Sequence, residues 1–131
     1  MQYLLTIYID ESAMGDATPE QALAMTEAYE ALTAELKESG AFVGGDGLQP
    51  TSTATTVRVR DGEPLLTDGP FAETREQLAG FYLLDCGDLD DAVRWAAKIP
   101  GAARGSVEVR PVIDYEGRRA RAQAGDAAAH A

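Results

Sequence analysis

Residues 65–86 read LLTDGPFAETREQLAGFYLLDC, in which two apolar segments enclose a short polar connection. Pro70 disfavours helical backbone at Gly69, and Gly69 permits a positive φ. Asp68 can fold its carboxylate onto the following amides as an Asx turn. One interpretation is a rigid turn that places Phe71 in the core. The other is a binding site to which the same turn presents Asp68; pattern alone favours the turn.

Several stretches on either side of this connection have the patterns of β-strands. In YLLTIYI, alternation creates one apolar face, formed by Tyr3, Leu5, Ile7 and Ile9. The glycines of AFVGGDG (41–47) predict a bulged strand. TTVRVRDGEPLLT (55–67) predicts a hairpin, because Asp61-Gly62 suits a type I′ turn. GFYLLDC (80–86) and SVEVRPVI (106–113) predict two further strands.

Two segments predict amphipathic helices. Thr18, Pro19 and Gln21 predict a capping box at the start of the first helix, and Gly40 predicts its left-handed end. Its apolar stripe is Ala22, Met25, Tyr29, Leu32 and Leu36. Asp88 caps the second helix, whose stripe is Leu89, Ala92, Val93, Ala96 and Ala97. Residues 114–131 show no apolar period, which predicts a flexible tail after a domain of residues 1–113.

The order of elements predicts an α+β fold of the ferredoxin-like β-α-β-β-α-β type with an extra central hairpin. Two helices can cover only one face of such a sheet. We expect the first and last strands to lie centrally and to expose a mixed face of Leu4, Thr6, Tyr8, Glu108 and Arg110. A second copy would cover that face, so the pattern predicts a homodimer, a dimeric α/β barrel with a cleft between its two sheets.

Composition narrows the class of protein and its partners. The net charge is −11, and such a surface repels nucleic acids and anionic membranes. No apolar run approaches the ~20 residues of a membrane-spanning helix. The opening MQYLLTIYIDE lacks the features of a signal peptide, and the single cysteine excludes an internal disulfide. We therefore expect a cytoplasmic protein, and its arginine and alanine usage suggests a bacterial source.

The scarcity of histidine and cysteine limits the possible chemistry. The chain has one of each, His130 in the tail and Cys86 at the end of a predicted strand. Zinc sites need clusters of these residues, so we expect no metal site. A serine or cysteine nucleophile would lack a histidine base within the domain. Cys86 is best interpreted as a small core residue.

The stretch TDGPFAETREQLAGFYLLD resembles the signature of the YCII-related family, in its DGPF-motif branch. YLLTIY, LQPTSTATTVRVRDG, AVRWAAKIP and GSVEVRPV support the resemblance, which covers residues 1–113. It implies a dimeric ferredoxin-like α/β barrel, similar in fold to muconolactone isomerases. Other members carry an active His–Asp pair, which cannot be transferred here because His130 lies outside the matching region.

Two functional hypotheses follow. In the first, the cleft between two sheets binds a small molecule, and the protein is a binding protein or a cofactor-free enzyme. Asp68 is then the candidate general base, and the ligand-binding candidates are Tyr8, Gly69, Pro70, Phe71 and Arg110. In the second, which rests on the resemblance, the protein is a regulatory or accessory partner of an extracytoplasmic-function sigma factor. Its acidic body would then engage a basic protein surface.

Overall fold

The computed structural model describes residues 1–130, with side chains described as far as Gly125. Its strands are β1 (Gln2–Ile9), β2 (Phe42–Gly47), β3 (Thr55–Arg60), β4 (Glu63–Asp68), β5 (Gln77–Asp85) and β6 (Ser106–Pro111). Its α-helices are α1 (Glu11–Met14), α2 (Pro19–Ser39), α3 (Leu89–Lys98) and α4 (Tyr115–His130). Short 3₁₀ turns cover Thr51–Thr53 and Pro100–Ala103. No helix within residues 1–130 has the length and apolar character needed to cross a membrane.

Four strands form one antiparallel sheet in the order β2-β5-β1-β6. The predicted α+β class is confirmed for the single chain, and this strand order is compatible with a ferredoxin-like fold. The predicted central position of the last strand was wrong, because β6 lies at an edge and β5 lies beside β1. The apolar strands β1 and β5 occupy the centre. The edge strand β6 carries the charged residues Glu108 and Arg110, which suit an edge open to water.

The core lies between the sheet and the helices α2 and α3. Its strand residues alternate as predicted, and its buried members are Tyr3, Leu5, Ile7, Leu32, Leu36, Ala41, Tyr82, Leu84, Cys86, Ala92, Ala96 and Ile99. On α3 only part of the predicted stripe is buried, since Leu89 and Val93 are about half exposed. The fully buried residues of α3 are Ala92 and Ala96, and Trp95 is partly buried against the core.

The ends of α2 follow the local chemistry of the sequence. The Gln21 backbone N–H donates to Thr18 Oγ1 at 3.1 Å, and the Thr18 N–H donates to Gln21 Oε1 at 3.0 Å. Gly40 ends the helix at φ 82°, a left-handed conformation that costs glycine little. The predicted capping box and helix end are both confirmed.

The predicted central hairpin is confirmed, but it stands apart from the main sheet. Its turn residues Asp61 and Gly62 have φ values of 53° and 77°, as a type I′ turn requires. β3 and β4 pair only with each other. Val57 lies opposite Leu66, and the two side chains are 59% and 69% exposed. The hairpin thus presents apolar surface that the described part of this chain does not cover.

The segment after β6 differs from the sequence prediction. The absence of an apolar period predicted no regular structure after residue 113, but residues 115–130 are helical in α4. Ala, Arg and Gln favour helix without needing a buried face, so local propensity accounts for the difference. The Gly117 N–H also donates to Asp114 Oδ1 at 2.9 Å. The predicted flexibility of this segment stays a prediction. Its last residue, Ala131, and the side chain of His130 lie outside the described part of the chain.

Cys86 is a core residue, as predicted, and its environment protects it from alkylation. It is 3% exposed, and burial together with the carboxylates of Asp91 and Asp85 raises the pKa of its thiol. We expect iodoacetamide at pH 8 to alkylate the folded protein at least about a hundredfold more slowly than the urea-unfolded protein, as measured by mass spectrometry. Equal rates in the two states would show that Cys86 is accessible in the native fold.

Candidate functional site

A cavity of about 910 Å³ lies between α2 and the β2–β5 side of the sheet. We call it the helix–sheet pocket. Four glycines line its wall, namely Gly45, Gly47, Gly80 and Gly101. A Cβ at Gly45 would lie 2.7 Å from the Phe81 carbonyl oxygen, and one at Gly101 would lie 2.8 Å from Tyr29 Oη. Gly45 therefore allows the close approach of β2 to β5, and Gly101 allows the close approach of the Pro100–Ala103 turn to Tyr29.

Most of the pocket wall is apolar. Residues from β1, α1, α2, β2 and the following loop supply it, namely Ile7, Ile9, Met14, Met25, Phe42 and Leu48. Methionine side chains adapt to ligands of different shape because they are unbranched and flexible. This part of the pocket suits the apolar body of an organic molecule.

Hydroxyl groups of α2 and β5 form a hydrogen-bonded chain at the pocket wall. Thr33 Oγ1 donates its hydrogen to the Tyr29 carbonyl oxygen at 2.9 Å, a bond within α2. Thr33 Oγ1 also lies 2.9 Å from Tyr82 Oη. Because the Thr33 hydrogen is already used, the Tyr82 hydroxyl must be the donor to Thr33. This chain fixes the Tyr82 side chain and leaves its oxygen able to accept a further bond.

Tyr29 plays a different part from Tyr82. Its hydroxyl oxygen accepts the Gly101 backbone N–H at 3.0 Å. Its own hydrogen has no acceptor within the described part of the chain. Burial raises the pKa of the Tyr29 phenol, against the lowering effect of the Gly101 N–H, so the group stays protonated at neutral pH. Tyr29 therefore offers a hydrogen-bond donor to the pocket.

Four charged residues line the pocket, namely Glu30, Lys37, Asp46 and Arg104. Neither Lys37 nor Arg104 has a carboxylate within salt-bridge distance among the described side chains. Lys37 Nζ lies 5.2 Å from the centre of the Phe42 ring, at one end of the pocket. Arg104 follows the Pro100–Ala103 turn, whose Gly101 N–H donates to Tyr29 Oη. Arg104 therefore lies at the Tyr29 end of the pocket, opposite the Lys37 end.

The structure does not bring the sequence-predicted site residues together in one chain. Tyr8 and Arg110 share the helix-free face of the sheet, as expected, but Tyr8 pairs with Ser106 and Arg110 pairs with Leu4. A separation of four residues along a strand is about 13 Å. Arg110 forms an exposed ion pair with Glu108 at 2.6 Å. Neither Tyr8 nor Arg110 lines the helix–sheet pocket.

The DGPF connection forms a turn at the end of β4. Gly69 has φ 94°, a positive value of the kind that glycine permits. The turn is held by the Gly69 N–H bond to the Ala54 carbonyl oxygen at 2.7 Å, whereas the Asp68 carboxylate forms no hydrogen bond with the described residues. The predicted burial of Phe71 was wrong, because its side chain is 78% exposed. The roles of these residues in a cleft between two sheets stay predictions.

Sequence reasoning missed the residues that form the helix–sheet pocket. It placed Tyr29 in the core stripe of α2 and treated the glycines of β2 as weaknesses of a strand. A signal was nevertheless present in Tyr29, because a tyrosine in a buried stripe needs a partner for its hydroxyl group. Arg104 and Gly101 carried no comparable signal, since they approach Tyr29 only through the tertiary fold.

Comparison with known proteins places this fold in a family. The sequence model of the YCII-related domain matches residues 1–116. An uncharacterised protein of Rhizobium meliloti (strain 1021) is 39% identical over 118 residues, which is 88% of this chain and 95% of that protein. The match to the YCII-related domain agrees with the resemblance seen in the sequence. The DGPF-motif branch stays a prediction.

Proposed function

The chain belongs to the YCII-related domain family, and we propose that it binds a small organic molecule in the helix–sheet pocket. The observation that carries this proposal is the pocket itself. Its volume of about 910 Å³ lies in the range of ligand sites, and its wall is largely apolar with a few polar groups. The Tyr29 hydroxyl group and Arg104, which forms no salt bridge with the described side chains, supply the groups that would orient a ligand.

We also propose that the protein works as a homodimer formed through the helix-free face of the sheet. Leu4 and Leu83 lie side by side on that face, as do Thr6 and Phe81. Thr6 Oγ1 is shielded from solvent but has no hydrogen-bond partner among the described residues. The hairpin of β3 and β4 exposes further apolar surface, and an isolated hairpin is only marginally stable in water. A second copy would cover both surfaces and leave the helix–sheet pocket open on the opposite side.

The dimer would also create the cleft between two sheets that the sequence suggested for Tyr8, Asp68 and Arg110. That cleft needs the second copy, whereas the helix–sheet pocket is complete within one chain. The helix–sheet pocket is therefore the site we test first.

A bulky substitution at the pocket wall tests the proposed function. Ala34 is an exposed residue of α2 that lines the pocket, and Ala31 is an exposed residue of the same helix that does not. We expect Ala34→Trp to weaken binding of the uncharged apolar dye Nile red by at least about tenfold, the equivalent of ~1.4 kcal/mol. The measurement is a fluorescence titration of both variants and the wild type.

Ala31→Trp is the matched control and should bind Nile red like the wild type. Dye that adheres to the helix-free face or to the hairpin would respond to neither substitution. Equal affinity of all three proteins would therefore contradict binding in the helix–sheet pocket.

A further inference from the structure

We propose that the helix–sheet pocket selects an apolar carboxylic acid, whose carboxylate binds between Tyr29 and Arg104. This inference rests on the proposed function of the pocket and names its ligand class. The apolar body of the acid would lie along the wall formed by Ile7, Ile9 and Met25.

The Tyr29 hydroxyl group can donate a hydrogen bond to a ligand. Its oxygen already accepts the Gly101 N–H at 3.0 Å, while its own hydrogen has no acceptor among the described residues. This hydrogen favours a ligand atom that carries a lone pair, as the oxygens of a carboxylate do. The bond from Gly101 also fixes the Tyr29 ring, so little freedom is lost when a ligand binds.

Arg104 follows the Pro100–Ala103 turn, which contains the Gly101 that binds Tyr29. Its backbone N–H donates to the Gly101 carbonyl oxygen at 3.2 Å, and Gly101 in turn bonds Tyr29. Arg104 lines the pocket and has no carboxylate partner among the described side chains. A guanidinium group and a phenol at the same end of a pocket together match the charge and the acceptor oxygens of a carboxylate.

Lys37 supplies a matched comparison within the same pocket. It lies eight residues after Tyr29 on α2, about 12 Å along the helix axis. It is also a pocket-lining cation without a carboxylate partner in the described residues, and its ammonium group stands over Phe42. If the carboxylate binds at the Tyr29 end, removal of the Lys37 charge should matter little.

A cationic ligand is the competing class, because the acidic residues Glu30 and Asp46 also line the pocket and would attract a positive charge. The test therefore compares three probes with the same apolar ring system: 2-naphthoate, the neutral 2-acetylnaphthalene and the cationic 2-naphthylmethylammonium. Each is titrated by isothermal calorimetry into the wild type and the variants Arg104→Gln, Lys37→Gln and Tyr29→Phe. Ala34→Trp reports whether a probe binds in the pocket.

We expect the wild type to bind 2-naphthoate more tightly than the other two probes. Arg104→Gln should weaken 2-naphthoate binding about tenfold and leave 2-acetylnaphthalene binding unchanged. Lys37→Gln should change 2-naphthoate binding by no more than about twofold, since the charge is far from the carboxylate. Tyr29→Phe should also weaken 2-naphthoate binding, because it removes the hydroxyl donor. If Tyr29→Phe fails to fold, the comparison of Arg104→Gln with Lys37→Gln still tests the inference.

The inference is overturned if 2-naphthoate binds no better than the other probes, or if Arg104→Gln and Lys37→Gln weaken it equally. It is also overturned if Ala34→Trp leaves 2-naphthoate binding intact. After any of these outcomes the proposed function would still stand if the wild type binds 2-acetylnaphthalene and Ala34→Trp abolishes that binding. Failure of all three probes to bind would contradict the inference and the proposed function together.

Discussion

Replacement of Leu83 by aspartate should convert a homodimer, of about twice the 13.9 kDa chain mass, into a monomer. Leu83 lies on the central strand β5, between Leu4 of β1 and Gly44 of β2, on the face that no helix covers. In the proposed dimer that position is buried, and a buried carboxylate without a partner costs several kcal/mol. In a monomer the same carboxylate would reach water, because the Leu83 side chain is only partly buried in the single chain.

Light scattering coupled to size exclusion measures this effect at micromolar concentration. Leu23→Asp is the matched control, because Leu23 is 59% exposed on α2, away from the helix-free face. It should remain dimeric. Circular dichroism should show that Leu83→Asp keeps its secondary structure. A monomeric wild type would refute the proposed dimer, and a dimeric Leu83→Asp variant would refute this face as its interface.

Replacement of Gly105 by alanine should destabilise the fold strongly. Gly105 precedes β6, and a Cβ there would collide with the Tyr8 carbonyl oxygen and lie 3.2 Å from the Ile9 Cα. These are backbone atoms of the central strand β1, so they cannot move aside without disturbing the sheet. We expect a loss of about 2–3 kcal/mol in the free energy of unfolding, or roughly 10 °C in Tm.

Gly87→Ala is the control for the Gly105 substitution. Gly87 lies in the connection between β5 and α3, and a Cβ there would meet no atom within 4 Å. Thermal denaturation followed by circular dichroism should therefore give a Tm for Gly87→Ala close to that of the wild type. Similar losses in both variants would contradict the contact with Tyr8 as the cause, because Gly→Ala acts on the unfolded chain in the stabilising direction.

Features that depend on neighbours in the sequence could be predicted. The capping box of Thr18, the left-handed Gly40 and the Asp61-Gly62 turn are each set by the chemistry of a few adjacent residues. The strand order could not be predicted in this way. β5 pairs with β1 and β6 lies at the edge because of contacts between distant segments, and the periodicity of the sequence does not encode such contacts.

The candidate site was harder to predict than the fold. The sequence directed attention to the DGPF connection, whose unusual residues are accounted for by a turn at Gly69 and an exposed Phe71. The helix–sheet pocket is instead lined by residues of distant segments, from Ile7 of β1 to Arg104 after the Pro100–Ala103 turn, which only the tertiary fold brings together. The sigma-factor hypothesis rested on the resemblance alone, and it stays a prediction.

The separate hairpin has a consequence for the rate at which the chain folds. β2 and β5 are neighbours in the sheet, but residues 48–76 lie between them, and closing so long a loop costs entropy. A hairpin with a favourable turn forms within about 1–10 μs and brings Thr55 beside Asp68. The residues between those two then no longer lengthen the loop. We therefore expect early formation of the hairpin to lower the entropic barrier to the pairing of β2 with β5 and so to speed folding.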